Sequence, residues 1–258
     1  MKKIVSISLG SKDQDYSFNT RFFGENFQVS RSGSDGDTRL TAGLIEEARE
    51  KADAIGLGMV REHYTVGTDH FERPETRKLE KLASPVPVTT GAKLREIVQE
   101  WTLRSAQMEL GNIFNNAKVL FLSGTLNYRL ASILSEYTDN LTFADPVAQF
   151  GLPNLLHSLR ALELYAAGSH PILRFEGGTD LVPSVVPFQF FNHLMLKRAV
   201  KEAHVVVAPY EQLQHYGAEE LDGKTVITST VSEQRLEELK DNGVRLVLDC
   251  SIQPFKHT

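Results

Sequence analysis

The chain has 258 residues, with 28 basic and 33 acidic side chains and a net charge of −5. That balance gives no general attraction to nucleic acid or to an anionic membrane, and no stretch reaches the roughly 18 apolar residues of a membrane span. The single cysteine, Cys250, excludes an intramolecular disulfide framework and any site built from several thiolates.

In chain order, β-branched alternation over residues 4–9 predicts a first strand. The apolar run there is too short for a signal-peptide core, so a cytoplasmic protein is expected. Residues 16–23 and 27–31 alternate around Gly24-Glu25-Asn26 and predict a hairpin. Gly33-Ser34-Asp35-Gly36-Asp37 is a turn by composition, followed by a helix over 38–51 and a strand over 53–57. Residues 60–84 are polar and carry a weak signal. The stretch from Pro85 to Gly91 reads as extended, because each proline biases its predecessor away from helix. Leu94, Ile97, Val98, Trp101 and Leu103 mark an amphipathic helix over 92–107.

From Lys118 onward, apolar runs alternate with helical periodicity. Strands are predicted over 118–122, 141–144, 204–208, 224–229 and 244–249, and helices over 127–137, 155–167, 187–202 and 233–242. This grammar predicts an α/β fold: a Rossmann-like, doubly wound parallel sheet over residues 111–258 and a smaller α/β lobe over residues 1–110. The helix from Ala92 is the expected bridge. The chain stops just after a strand, which raises the expectation of a longer parent protein.

The turn after the strand at 118–122 is the candidate dinucleotide site. Three glycines normally give such a turn its tightness and its close approach to a pyrophosphate. Here Ser123-Gly124-Thr125 retains one of them, and Asp145 lies 21 positions beyond Gly124, near the offset of a ribose-binding acid. Ser123, Gly124, Thr125, Asp145 and Thr228, all placed at carboxyl ends of predicted strands, form the expected cofactor-binding set. The other reading of these residues is an ordinary βα turn. On the dinucleotide reading, Gly124→Val blocks the pyrophosphate and spares the fold.

Asp35 and Asp37 have the spacing of hard-cation ligands, but Asp and Ser are also common helix caps, which is the favoured reading. The eight histidines fall in no metal-binding spacing, and no metal is expected. Gly223-Lys224-Thr225 ends like a phosphate-binding loop but enters a strand, so it reads as a turn. Cys250 reads as a small core residue. The stretch 181–191, with Val185, Val186, Phe188, Phe190 and Phe191, reads either as core or as a partner-binding patch.

Val5-Ser6-Ile7-Ser8-Leu9-Gly10-Ser11, Ser34-Asp35-Gly36-Asp37 and Asp53-Ala54-Ile55-Gly56-Leu57-Gly58 resemble the opening of a bacterial family labelled quinate 5-dehydrogenase-like. The resemblance continues through Ala144-Asp145-Pro146, Phe150-Gly151-Leu152-Pro153 and Ser158-Leu159-Arg160-Ala161-Leu162-Glu163, and resumes at Asp222-Gly223-Lys224-Thr225-Val226-Ile227-Thr228. It implies a Rossmann-like domain and a nicotinamide cofactor. The asparagine–proline–lysine motif of shikimate dehydrogenases has no counterpart in the chain.

Two functions follow as expectations. One is an oxidoreductase using NAD or NADP on a small polar hydroxy or carbonyl compound such as a cyclic polyol acid, with its catalytic residue unassigned. Asp145 would favour NAD, since a carboxylate repels a 2′-phosphate. The other is a non-catalytic ligand-binding or assembly module on a degenerate Rossmann scaffold. Both expect a small-molecule ligand, no nucleic acid and no membrane, and both allow a homo-oligomer.

Overall fold

The strand predicted at the start of the chain is β1 (Lys2–Ser8), and it lies at the centre of a five-stranded sheet. The computed structural model describes residues 1–60, 63–175, 189–210, 212–213, 220–229 and 231–251. These divide into two units, residues 1–64 with 70–93 and residues 65–69 with 94–258.

In the first unit the expected hairpin is present as β2 (Tyr16–Phe22) and β3 (Glu25–Gly33), paired antiparallel. β3 then runs parallel to β1. A helix, α1 (Thr38–Arg49), leads to β4 (Ala54–Gly58), which pairs parallel with the other side of β1. The α1 helix starts where it does because the Asp37 carboxylate accepts from the amides of Arg39 and Leu40 at 2.8 and 3.0 Å.

The weak segment after β4 holds a small ladder, β5 (Tyr64–Val66) with β6 (Asp69–Phe71), and a helix, α2 (Pro74–Ala83). Proline in the first turn of α2 is pre-organised for helix entry. Beyond it, β7 (Val88–Thr89) pairs with β4 and completes the order β2-β3-β1-β4-β7. Ile7, Ile45, Ile55, Leu57, Leu79 and Ala83 form the core.

The second unit resumes at Leu94 within α3 (Ala92–Glu109), whose Leu103 and Ala106 join the same core as Phe114 and Val119. Its elements continue as β8 (Val119–Phe121), α4 (Tyr128–Leu134), β9 (Leu141–Phe143), α5 (Asp145–Phe150), α6 (Leu159–Phe175), α7 (Gln189–Glu202), β10 (Val205–Val207), β11 (Thr225–Thr228), α8 (Glu233–Asp241) and β12 (Leu246–Asp249). The sheet order is β9-β8-β10-β11-β12, with every neighbouring pair parallel. This is the doubly wound α/β arrangement predicted for this half of the chain.

The strands read as continuous apolar runs because both faces are covered. Val119, Phe121, Phe143 and Val207 point to one core with Ile133 and Leu162. Leu120, Val206 and Val226 point to another with Leu196, Val200 and Leu239. Gly223-Lys224-Thr225 is a turn entering β11. The Lys224 ammonium donates to the carbonyls of Lys201 and Ala203 at 3.0 and 2.8 Å, where a cation meets the negative end of α7. Among the described residues no helix is long and apolar enough to cross a membrane.

Candidate functional site

The order of the second sheet reverses between β8 and β10, and in open α/β sheets ligands bind at such a switch point, beyond the carboxyl ends of the strands. Ser123, Gly124 and Thr125 stand there, directly after β8. The helix that follows begins only at Tyr128, so the amides of Gly124 and Thr125 belong to a turn and not to a helix N-terminus.

Those amides are already paired. Asp145 accepts from the Gly124 amide at 2.7 Å through one carboxylate oxygen. Through the other it accepts from the Thr125 amide at 2.9 Å and the Thr125 hydroxyl at 2.7 Å. The side chain is fully buried, and burial pushes its carboxyl above the ordinary value against the opposing pull of the Thr125 and Gly124 donors.

Asp145 is not the last residue of a strand. It opens α5, with Pro146 beside it in the first turn, and its side chain folds back across the sheet edge to the β8 turn. It holds the turn from inside and presents nothing to a ribose hydroxyl.

Gly124 has a related constraint. A Cβ there would stand 2.3 Å from Cδ1 of Phe143 and 3.1 Å from Cδ2 of Leu162. The glycine is required by close packing against the strand and helix behind it. The expectation that Gly124→Val spares the fold is therefore overturned: the added atoms collide with a buried ring.

A polar network that the sequence reading missed encloses the pair. Gln149, one helical turn after Asp145, donates to the Thr125 hydroxyl at 3.1 Å. The Tyr165 hydroxyl donates to Gln149 Oε1 at 2.9 Å. Asn127 donates to the Ser123 carbonyl at 2.8 Å. The Ser123 hydroxyl donates to Gln212 Oε1 at 3.0 Å, which bridges the segments after β8 and β10 across the switch point. The i, i+4 spacing of Asp145 and Gln149 was the one signal in the sequence, hidden because α5 was not predicted. Thr228 is buried at the end of β11, outside these contacts, and its hydroxyl has no partner among the described residues.

In this arrangement the amides of Gly124 and Thr125 are taken by Asp145, so the residues present do not fit a dinucleotide held in the standard way.

The second unit has a cavity elsewhere, about 470 Å3 at the amino ends of β8 and β9 beside α7. Leu120, Leu155, Met195 and Ala199 give it apolar walls, and Lys118, Asp139, Asn140, Thr142, His157 and Arg198 give it polar ones. Its size is in the range of small-molecule pockets.

Asp35 and Asp37 do not converge on a common point. Asp35 accepts from the Lys12 amide at 2.9 Å, while Asp37 caps α1. Of the apolar stretch 181–191, residues 181–188 lie outside the described residues.

Fold and site together define an α/β protein of the Rossmann-like class with a self-capped first turn. The chain belongs to the family described as domain of unknown function DUF8754, whose model matches residues 93–258. A second domain of unknown function, DUF8753, matches residues 3–90. No curated protein matches.

Among solved structures, a periplasmic sugar binding protein of an ABC sugar transporter from Legionella pneumophila is similar at 11% identity. The match covers 96% of this chain and 89% of that one, with a TM-score of 0.40. A dipicolinate synthase subunit from Bacillus halodurans is similar at 10% identity over 96% of this chain and 89% of that one, with a TM-score of 0.31.

Proposed function

We propose that this protein is a ligand-binding module that takes a small polar molecule without a dinucleotide. The observation carrying this reading is the pairing of the Asp145 carboxylate with the amides of Gly124 and Thr125. In dinucleotide-binding folds the corresponding amides receive phosphate oxygens. A buried carboxylate that takes both of them competes with a phosphate for donors and repels its charge.

The cavity beside α7 is where the ligand sits in this reading. Lys118 at its rim suits a carboxylate, while Arg198 is paired there with Glu202 at 2.8 Å. Asn140 and Thr142 suit hydroxyl groups, and the Leu155 and Met195 walls suit a ring. A small cyclic hydroxy acid combines these features. It is also the ligand class implied by the resemblance to quinate 5-dehydrogenase-like proteins.

The second reading is an NAD(P)-dependent oxidoreductase acting on that same class of compound. It is favoured by the place of Ser123 and Gly124 at the switch point of a doubly wound sheet. It requires Asp145 to leave the turn when cofactor arrives.

Titration of quinate by calorimetry tests the first reading, with NAD and NADP titrated in parallel. Quinate binding that weakens in Lys118→Ala supports it. Binding of NAD together with silence toward quinate supports the dehydrogenase.

A further inference from the structure

The α3 helix carries an apolar stripe that faces solvent. Leu94, Ile97, Trp101 and Met108 are 52%, 64%, 70% and 83% exposed. Their spacings of three, four and seven place them on one helical face. Single exposed apolar residues are ordinary, but a continuous line over two turns or more marks an interaction surface.

The opposite face is fixed in the second unit by Gln99, Leu103, Ala106 and Gln107, all buried. One flank is also held. Arg104 donates to both oxygens of Glu136 at 2.9 Å and to Glu100 at 2.9 Å, and Glu100 also accepts from Arg129. The stripe is therefore presented on an anchored helix.

The pattern is self-complementary. Taking Trp101 as a centre and reversing the helix direction sets Leu94 against Met108, seven residues away on either side. Ile97 falls opposite Ser105, a large side chain against a small one. A two-fold axis through the contact makes every such match occur twice.

We propose that α3 is a homodimer interface in which two copies pack antiparallel about Trp101. The four apolar side chains expose on the order of 600 Å2 per copy, so two copies bring together about 1,200 Å2, where specific interfaces begin. Tryptophan at the centre matches the usual make-up of an energetic hot spot.

The chain's one tryptophan reads the contact directly. Sedimentation velocity and tryptophan emission are followed together over a dilution series of the full chain, from about 100 μM downward. The dimer gives a doubled mass at high concentration and an emission that moves to the red as the mass falls to one chain.

Ile97→Glu raises the dissociation constant at least tenfold, with circular dichroism unchanged. Ser105→Arg, which sets a large side chain opposite Ile97, weakens the dimer severalfold. A chain that stays monomeric at 100 μM overturns the proposal, whether its emission is red or blue. So does a dimer indifferent to both Ile97→Glu and Ser105→Arg.

Discussion

The carboxylate of Asp145 lies 2.7 Å from the backbone amide of Gly124, a residue 21 positions earlier in the chain. The contact ties the first turn of α5 to the turn after β8 and fills the place where an anionic ligand would meet the sheet. Replacing Asp145 with alanine leaves two buried amides and the Thr125 hydroxyl without their acceptor. The expected loss of folding stability is about 3 kcal/mol, read as a lower midpoint in urea unfolding. Asp145→Asn, which keeps one acceptor oxygen, is expected to lose less.

Gly124→Ala tests the packing side of the same turn. Its Cβ would meet Phe143 at 2.3 Å, and that ring is fully buried and stacked on Phe121 at 5.1 Å. A rigid ring in a packed core has little room to move, so a loss of about 3 kcal/mol is expected. Gly124→Ala combined with Phe143→Leu is expected to recover part of that loss, measured by the same unfolding curves.

In the first unit Gly33 has a parallel role with a different partner. A Cβ at Gly33 would stand 2.5 Å from the Ser11 carbonyl oxygen, a backbone atom that cannot swing aside. The Gly33 amide also donates to Asp15 at 2.6 Å, which fixes the two segments together. Gly33→Ala is expected to cost about 2 kcal/mol. Amide hydrogen exchange should show faster exchange around Ser34, whose amide bonds the Ser8 carbonyl.

Cys250 gives a pH dependence with a definite sign. Burial, with a smaller push from Asp249, raises its thiol to about 12. The unfolded thiol titrates near ~8.5. Between those values the folded chain holds a proton that the unfolded chain has lost. The stabilisation is complete below pH ~8.5 and falls by about 1.4 kcal/mol per pH unit as pH rises toward 12. Cys250→Ala is expected to flatten that part of the stability–pH curve. At pH 8 a disulfide reagent should leave the folded chain untouched and titrate one thiol after unfolding.

The fold was legible where burial on both faces left unbroken apolar runs, as in Val205-Val206-Val207 or Val119-Leu120-Phe121. It was not legible in α2, whose inward positions are Thr76, Leu79 and Ala83, too few apolar residues to show a helical period. The six-residue α5 also escaped notice, because a strand-ending acid and a helix-opening acid look alike in Asp145-Pro146.

That ambiguity decided the site. The offset between Gly124 and Asp145 is visible in the sequence, but an acid at that distance can reach outward to a ribose or inward to the turn. Only the burial of its side chain tells the two apart. The stripe on α3 shows as helical periodicity, yet periodicity cannot say which apolar positions face the core. Leu103 is buried there, while Leu94, Ile97 and Trp101 are exposed.

The most direct measurement is a calorimetric titration of NAD and NADP into the full chain at near-neutral pH, carried to about millimolar ligand. With the Gly124 and Thr125 amides held by Asp145, neither dinucleotide is expected to give a saturable binding heat. A dissociation constant in the micromolar range for either one would contradict the account.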